Sequence, residues 1–386
     1  MTAKAQRDYY AMPPAAEALA ARVDIIADSI PKGSVVLDLG CNDGSISNAL
    51  LERGAISQSY GFDLEDILVH RRPEIVFQKA NLRHFDLTRL PDADGVLILN
   101  LLHHVVAFSK ERAKDIVDTL LNRYAFVILD MGSFTETGGW GWRATYDTHW
   151  KSDAEMWDFF FANAAWRFKL LRYPTQGKGH RTLWKLTKTP YPLDGLEEIG
   201  NFRRTPGSWP ANKKLIPAGE IGETKIVTTV DFALARSRQG DRFWIKRYLN
   251  RDREARAALE MELASFAARE MEFVNARIEY RMRVAKPVAV QPEGRLIFPF
   301  EPDLFAAEVV HFQDWAAFFE PVVSKAGNVL ATRSIELSKD FPRMSLLQAC
   351  DFQLCATWDG LTALDFEPNN WLAHVAFTGA LKIAER

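Results

Sequence analysis

The feature of this sequence that most constrains its fold is the alternation of apolar, strand-like segments with helical segments. The strand patterns occur, in chain order, at 34–40, 59–65, 77–83, 94–102 and 125–132. The helical patterns occur at 15–30, 45–54, 109–124 and 154–164. Such alternation predicts an α/β fold, a doubly wound parallel sheet with helices on both faces. Two further strand patterns, at 168–174 and 181–188, predict a closing hairpin.

Length and a shift in composition predict a second domain. The chain has 386 residues, of which 47% are hydrophobic and 25% charged, which is enough for two globular domains. Residues 191–223 are rich in proline and glycine and show little periodicity, which predicts a linker. We therefore expect a first domain over 1–190 and a second, α+β domain over 224–386. The second contains strand patterns, a charged helix at 252–272 and a late strand at 361–367 within an otherwise helical end.

Charge and cysteine content exclude several classes of protein. The formal net charge of −2 gives no basic field for a nucleic-acid partner. The three cysteines form no CxxC pair, so we expect neither a metal site nor a disulfide framework, as suits the cytoplasm. No apolar run approaches the roughly 20 residues of a membrane span, and we expect no signal peptide. The oligomeric state is not indicated by the sequence.

The segment VVLDLGCNDGSIS, residues 35–47, predicts a strand that stops at a glycine corner and leads into a helix. Ligands of doubly wound sheets bind beyond the carboxyl ends of the strands, where Asp38, Gly40 and Gly44 lie. A dinucleotide would require bare backbone for its pyrophosphate, but Asp38 and Asp43 would repel it. Acidic residues suit a ligand with positive centres, such as the sulfonium and ammonium groups of S-adenosylmethionine.

The second strand pattern supports the same ligand. It ends in YGFDLED, which places Asp63 at the strand tip, where a carboxylate can accept hydrogen bonds from both ribose hydroxyls. NAD-dependent enzymes share this feature, so it does not discriminate alone. The combination with an acid-bearing first loop favours S-adenosylmethionine.

Three motifs, LDLGCNDG, GFDLED and LILNLLHHV, resemble those of the class I S-adenosylmethionine-dependent methyltransferases over roughly residues 30–190. The resemblance implies that the glycine loop holds the methionine moiety, that Asp63 takes the ribose, and that Asn81 or Leu82 flanks the adenine. Asn100 would face the methionine and the reaction centre. Asn42 departs from the usual LDxGxGxG form. The implied cofactor-binding residues are Asp38, Gly40, Asn42, Gly44, Asp63, Asn81, Leu82 and Asn100.

Candidate acceptor-side residues follow the fourth and fifth strands. His103 and His104 come directly after the fourth strand, and we expect one to act as a general base or anion ligand and the other to pack beneath a helix. The segment 133–150 carries Arg143 and four large aromatic residues. One interpretation is an exposed acceptor lid in which Arg143 binds an anionic group; the alternative is packing against the second domain.

The second domain weakly resembles protein-kinase-like phosphotransferases. Lys246 lies in a strand pattern, Glu262 in the next helix, RLIFPFEPD resembles a strand leading to a hinge, and Asp351 and Asp365 follow. A methyltransferase joined to such a domain resembles the bifunctional enzymes that terminate bacterial O-antigen chains. However, no glycine-rich loop precedes Lys246, and Ala356 stands where a metal-binding asparagine belongs. We therefore expect a degenerate domain that does not transfer phosphate; the alternative is an unrelated acceptor-binding or oligomerisation domain.

These observations lead to three functional hypotheses. The first is a methyltransferase that uses S-adenosyl-L-methionine to methylate an oxygen of a polar acceptor, a glycan or phosphate-bearing molecule. The second is a natural-product or sugar-nucleotide methyltransferase whose second domain binds a small-molecule acceptor. The third is a non-catalytic scaffold that retains the cofactor fold, against which the intact set of Asp38, Gly40 and Asp63 argues.

Overall fold

The chain divides into two compact units, each with its own sheets. The first unit comprises Met1–Leu196 with Ser237–Asp241, and the second comprises Glu197–Arg236 with Arg242–Arg386. The computed structural model describes residues 13–69, 71–136, 141–175, 179–190, 192–203, 216–217, 230–249, 251, 253–258, 260–261, 264–265, 268, 282–302, 309–310, 353–357 and 360–364.

A seven-stranded sheet forms the centre of the first unit. Its strands are β1 (Ser34–Leu39), β2 (Ile56–Asp63), β3 (Ile75–Lys79), β4 (Gly95–Ile98), β5 (Phe126–Leu129), β6 (Trp166–Pro174) and β7 (His180–Thr187). The order across the sheet is β3-β2-β1-β4-β5-β7-β6. The first five strands are parallel, and β7 runs antiparallel to both β5 and β6. The predicted doubly wound sheet is confirmed. The direction in which successive strands are added changes at β1, which pairs with both β2 and β4.

In the described part of the first unit, six α-helices accompany this sheet. They are α1 (Pro13–Ser29), α2 (Ser45–Glu52), α3 (Leu102–Val106), α4 (Lys110–Arg123), α5 (Gly141–His149) and α6 (Asp153–Phe161). Ser109 caps α4, since its side chain accepts a hydrogen bond from the Arg112 N–H. Neighbouring residues of β1 face opposite cores, with Val36 in one hydrophobic cluster and Leu37 in the other. Both faces of the sheet are therefore covered, as a parallel sheet requires.

The described residues of the second unit form two smaller sheets. A six-stranded antiparallel sheet is formed by β8 (Glu197–Arg203), β9 (Ile216–Pro217), β10 (Val230–Arg236), β11 (Arg242–Tyr248), β13 (Ala289–Gln291) and β14 (Arg295–Pro299). A four-stranded sheet is formed by β12 (Met282–Val284), β15 (Val309–Val310), β16 (Gln353–Thr357) and β17 (Gly360–Leu364). Residues 353–357, expected to be helical, are thus a strand.

The linker predicted over 191–223 needs correction, because β8 lies within it and pairs with β10. The carboxylate of Glu198 accepts hydrogen bonds from Arg247 on β11 and from Arg295 on β14. These ion pairs join β8 to two other strands of its sheet. The strand was not predicted because the surrounding sequence is rich in proline and glycine. The chain first passes from one unit to the other at 196/197, and it returns to the first unit for Ser237–Asp241.

The strand lysine of the second unit forms a buried ion pair with the helical segment that follows its strand. Lys246 Nζ lies 3.0 Å from Glu260 Oε1, and both side chains are buried. Glu260 lies two positions before Glu262, the helical acid named from the sequence. Glu262, Asp351 and Asp365 lie outside the described residues, and Ala356 lies in β16.

Candidate cofactor and acceptor site

The corner after β1 is built from residues in the left-handed backbone region. Gly40 and Gly44 both have φ near 80°, and Asn42 between them has φ 51°. A side chain at Gly40 would approach Leu101 Cβ to 3.2 Å, so the residue must be small as well as left-handed. The loop therefore turns sharply and leaves backbone at the carboxyl edge of the sheet, next to the start of α2.

Asp63, at the tip of β2, is bound to this corner. Its Oδ2 accepts a hydrogen bond from the Asn42 N–H at 2.8 Å, and its Oδ1 accepts one from the Leu64 N–H at 2.6 Å. Each carboxylate oxygen has a second lone pair, so capacity remains for ligand hydroxyls. The structure thus brings the residue expected to bind ribose into contact with the loop expected to hold the methionine moiety.

Asp38 lies beneath the corner and is almost fully buried. Its Oδ2 accepts a hydrogen bond from Ser47 Oγ at 2.6 Å, and Ser47 in turn contacts Ser59 Oγ. Burial raises the pKa of Asp38 to about 6; the Ser47 hydrogen bond opposes this shift, and the charges of Asp63 and Asp43 add to it. A carboxyl that ionises with difficulty favours a positively charged neighbour.

One further acceptor at the corner is unused. Asn42 Oδ1 is buried and has no hydrogen-bond partner among the described residues. Together with the carboxyls of Asp38 and Asp63, it gives the corner three acceptor groups and negative charge. This donor-poor, acidic set fits a ligand carrying ammonium and sulfonium groups and does not fit a pyrophosphate.

The residues expected near the adenine follow β3. Asn81 is exposed, and its Oδ1 accepts a hydrogen bond from the Arg83 N–H at 3.2 Å. Leu82 is buried within the main hydrophobic cluster of the first unit. The two side chains therefore point into different surroundings, and Asn81 is the one available at the surface.

Asn100, which follows β4, is held in an unusual conformation. It is left-handed with φ 58°, and its N–H donates to Asp130 Oδ1 at 2.7 Å. Asp130 follows β5, is fully buried, and also accepts from the Tyr173 hydroxyl at 2.7 Å. Arg22 completes this cluster at 3.4 Å. The sequence interpretation missed Asp130, although an acid directly after a buried strand was a usable signal.

Arg181, at the start of β7, was also missed. Its Nε and Nη2 donate to the two carboxylate oxygens of Glu136, at 2.7 and 3.0 Å. Its Nη1 donates to the side-chain oxygen of Asn100. No motif marks this residue, because its partners lie 45 and 81 positions away in the chain.

The two histidines after β4 have different surroundings. His103 is buried, its ring lies 5.3 Å from that of Trp142, and its Nδ1 has no hydrogen-bond partner among the described residues. His104 is exposed, with its ring 4.1 Å from that of His103. Partial burial, followed by the positive charges of Arg181 and Arg83, lowers the pKa of His104. This placement favours His103 as the packed residue and His104 as the one open to an acceptor.

The aromatic segment at 133–150 is not an exposed lid over its described part. It forms α5, and Trp142, Tyr146 and Trp150 are buried in the main hydrophobic cluster of the first unit. Their spacing of four residues places them on one helical face, which the glycine-rich sequence concealed. They pack within the core of the first unit itself. Trp140 lies outside the described residues.

Arg143 lies against this aromatic cluster. Its guanidinium carbon is 4.3 Å from the Phe134 ring centroid, and its Nη2 pairs with Asp147 at 3.2 Å. Its Nη1 is buried without a hydrogen-bond partner in the described part of the chain. The predicted role of Arg143 in binding an anion remains a prediction.

The described residues contain neither a helix long and apolar enough to cross a membrane nor a metal-binding group of three or more His, Cys, Asp or Glu side chains.

Comparison with known proteins finds a family match within the first unit. Residues 18–140 match the FtsJ-like methyltransferase family. This match confirms the methyltransferase resemblance for that part of the chain, and it does not extend to the second unit, whose kinase-like resemblance is not confirmed. No curated protein sequence matches the chain significantly.

Solved structures that match parts of the chain include two of WbdD. A structure with the kinase inhibitor LY294002 has a TM-score of 0.38 and 15% identity, covering 73% of this chain and 61% of that chain. A second has a TM-score of 0.39 and 13% identity, covering 94% and 79%. The N-terminal domain of EvdMO1, in the presence of SAH and D-fucose, has a TM-score of 0.33 and 13% identity, covering 46% and 84%. The chain thus spans about three-fifths of the first of these.

Proposed function

We propose that this chain is an S-adenosylmethionine-dependent methyltransferase that acts on an oxygen of a polar acceptor, a glycan or phosphate-bearing molecule. The observation that carries the proposal is the acidic corner at the carboxyl edge of the sheet, where Asp63 is tied to Asn42 and the buried Asn42 oxygen has no partner in the described structure. The family match over residues 18–140 supports it.

Different residues of the corner bind different parts of the cofactor. Asp63 accepts from the ribose hydroxyls, Asn42 and the backbone of the glycine loop hold the methionine ammonium, and the negative charge of Asp38 stabilises the positive ligand. Asn81 borders the adenine, and Asn100 lies on the side of the reaction centre. When bound, the cofactor supplies a methyl group on a sulfonium centre.

His104 performs the acceptor-side chemistry of this proposal. Its lowered pKa keeps the exposed imidazole uncharged at neutral pH, so that it can accept a proton from an acceptor hydroxyl. An anionic phosphate oxygen needs no base, and there the adjacent Arg83 guanidinium contributes charge, since its Nη2 lies 3.4 Å from the His104 carbonyl oxygen. Alignment of the two reacting atoms contributes most of the acceleration.

The test is transfer of labelled methyl groups to panels of glycans, phosphorylated sugars, sugar nucleotides and small hydroxylated molecules. With an acceptor that the wild type methylates, His104→Ala should lower turnover roughly 100-fold while leaving cofactor affinity unchanged. His84→Ala, an exposed histidine of the neighbouring loop, is the matched control. Equal turnover of His104→Ala and wild type would remove the role of His104. Scoring only with sugar nucleotides or small molecules would favour the alternative in which the second unit binds the acceptor, and failure of the wild type to bind cofactor would favour a scaffold.

A further inference from the structure

One guanidinium connects two loops at the proposed active site. Arg181 donates through two nitrogens to Glu136, in the loop after β5, and through the third to Asn100, in the loop after β4. Its side chain is nearly buried, and that of Glu136 is fully so. All three guanidinium nitrogens are therefore engaged, so Arg181 is not available as a primary ligand for a substrate anion.

The residue that Arg181 holds is conformationally strained. Asn100 adopts a left-handed backbone, which costs free energy in a non-glycine residue and persists only when its surroundings enforce it. Asp130 fixes the Asn100 N–H, and Arg181 fixes the Asn100 side chain. Two independent anchors thus determine the direction of this residue.

Glu136 is itself held firmly. Its Oε1 also accepts a hydrogen bond from the Ser133 N–H at 2.9 Å. Gly179, next to the start of β7, lies so close to this loop that a side chain there would approach the Thr135 carbonyl oxygen to 2.6 Å. The position of Arg181 is therefore set by a rigid neighbour.

We propose that Arg181 is a positioning residue of the active site, which holds the Asn100 turn in its ligand-facing conformation and is itself held by Glu136. This inference rests on the proposed function, because it assigns a role toward the cofactor edge of the same site. The forked guanidinium is required, since a lysine ammonium can reach Glu136 or Asn100 but cannot make the same bidentate pair.

The charge of Arg181 has a second consequence for the two histidines. Burial is the main reason why the pKa of His103 is well below its ordinary value, and Arg181 is the next. The order is the same for His104, with Arg83 third. The charged and titratable groups that face His104 are thus Arg181 on β7, Arg83 in the loop after β3, and His103 on its own helix.

The test compares Arg181→Gln, which removes the charge, with Arg181→Lys, which keeps it and removes the fork. Arg172→Gln, on the neighbouring strand β6, is the matched control. Binding of S-adenosylhomocysteine to the full chain is measured by calorimetry, and histidine titration of the cofactor-free chain by NMR.

Both Arg181 variants should bind S-adenosylhomocysteine at least tenfold more weakly than wild type. Only Arg181→Gln should raise the titration midpoint of His104, and Arg172→Gln should change neither quantity. Unchanged affinity in both Arg181 variants would overturn the proposal, and if Arg181→Gln does not fold, unchanged affinity of Arg181→Lys decides against it. Should the wild type bind no S-adenosylhomocysteine, the proposed function fails separately, and an unmoved His104 midpoint in Arg181→Gln then overturns this inference too.

Discussion

The two units each contain a buried ion pair, and the two pairs differ in what surrounds them. In the first unit, Arg181 and Glu136 have side chains that are 11% and 1% exposed; in the second, Lys246 and Glu260 are 5% and 3% exposed. Beside the first pair lie the left-handed Asn100 and a buried His103 nitrogen without a described partner. Both oxygens of Glu260, in contrast, accept hydrogen bonds, from Lys246 at 3.0 Å and from the Tyr248 hydroxyl at 2.5 Å.

Burial of a charge pair is therefore not by itself an indication of function. Buried pairs occur for structural reasons, and their contribution to stability varies in sign. Strained backbone and unsatisfied polar atoms beside the pair are more informative, because a fold tolerates them only where something else compensates. By this criterion we infer that the first pair borders the proposed ligand site and that the second is a structural clamp between β11 and the residues that follow it.

The largest expected effect tests the structural side of this comparison. Glu260→Ala removes the carboxylate that accepts from Lys246 and Tyr248, and should lower the free energy of unfolding of the second unit by about 4 kcal/mol. Binding of S-adenosylhomocysteine should not change. Denaturant titration with hydrogen exchange of residues 230–248 reports the first quantity, and Glu254→Ala, exposed on the adjacent helical segment, should cost no more than about 1 kcal/mol. Equal stability of the two variants would mean that the pair is not a clamp.

The next prediction concerns the ligand site, where a substitution should raise the free energy of unfolding instead of lowering it. The pKa of Asp38 is raised from 3.8 to about 6 in the folded chain, so the folded state binds its proton more tightly than the unfolded state. Ionised Asp38 therefore destabilises the cofactor-free fold, and this penalty grows as pH rises from about 4 to 6. Asp38→Asn should remove it and stabilise the cofactor-free chain at pH 7 by up to about 3 kcal/mol, at about 1.4 kcal/mol per pKa unit.

Denaturant unfolding between pH 4 and 7.5 checks this prediction, with Asp66→Asn as an exposed control. The stability difference between Asp38→Asn and wild type should be small at pH 4 and widen up to pH 6. A difference that is constant across this range would show that ionised Asp38 does not destabilise the fold. The first unit would then lack this mark of a ligand site, which separates it from the second.

The smallest expected effect concerns phosphate transfer, for which we expect no activity. The full chain with magnesium and ATP should show no hydrolysis or phosphate transfer above that of Lys246→Ala. Phosphoryl transfer depends on metal ions held against the phosphates. No glycine-rich loop precedes Lys246, and Ala356 stands where the kinase-like resemblance would require a metal-binding asparagine. Magnesium-dependent turnover that Asp365→Ala abolishes would make the second unit catalytic and erase the contrast between the two pairs.

Sequence patterns were sufficient for the elements whose environment is local. The strand predicted at 34–40 is observed as Ser34–Leu39, and the helix predicted at 109–124 as Lys110–Arg123 with its Ser109 cap. Periodicity and capping are properties of adjacent residues, so they can be read from the chain directly.

Other features could not be predicted from the sequence because they depend on distant residues or on competing signals. The glycines before α5 suggested a loop, although Trp142, Tyr146 and Trp150 follow a helical spacing. Arg181 gives no local signal, because its role depends on Asn100, 81 positions away. Asp63 and Asn42 were both named, but the hydrogen bond that ties them together required the fold.

The measurement that tests the central claim most directly is calorimetric titration of S-adenosylhomocysteine into the wild-type chain and Asp63→Ala, with Glu65→Ala as an exposed control. The wild type and the control should bind one molecule per chain. Asp63→Ala should bind at least tenfold more weakly, because each lost hydrogen bond to a charged carboxylate contributes about 1.5–3 kcal/mol. Absence of binding by the wild type, or unchanged affinity in a folded Asp63→Ala, would contradict the assignment of this corner as the cofactor site.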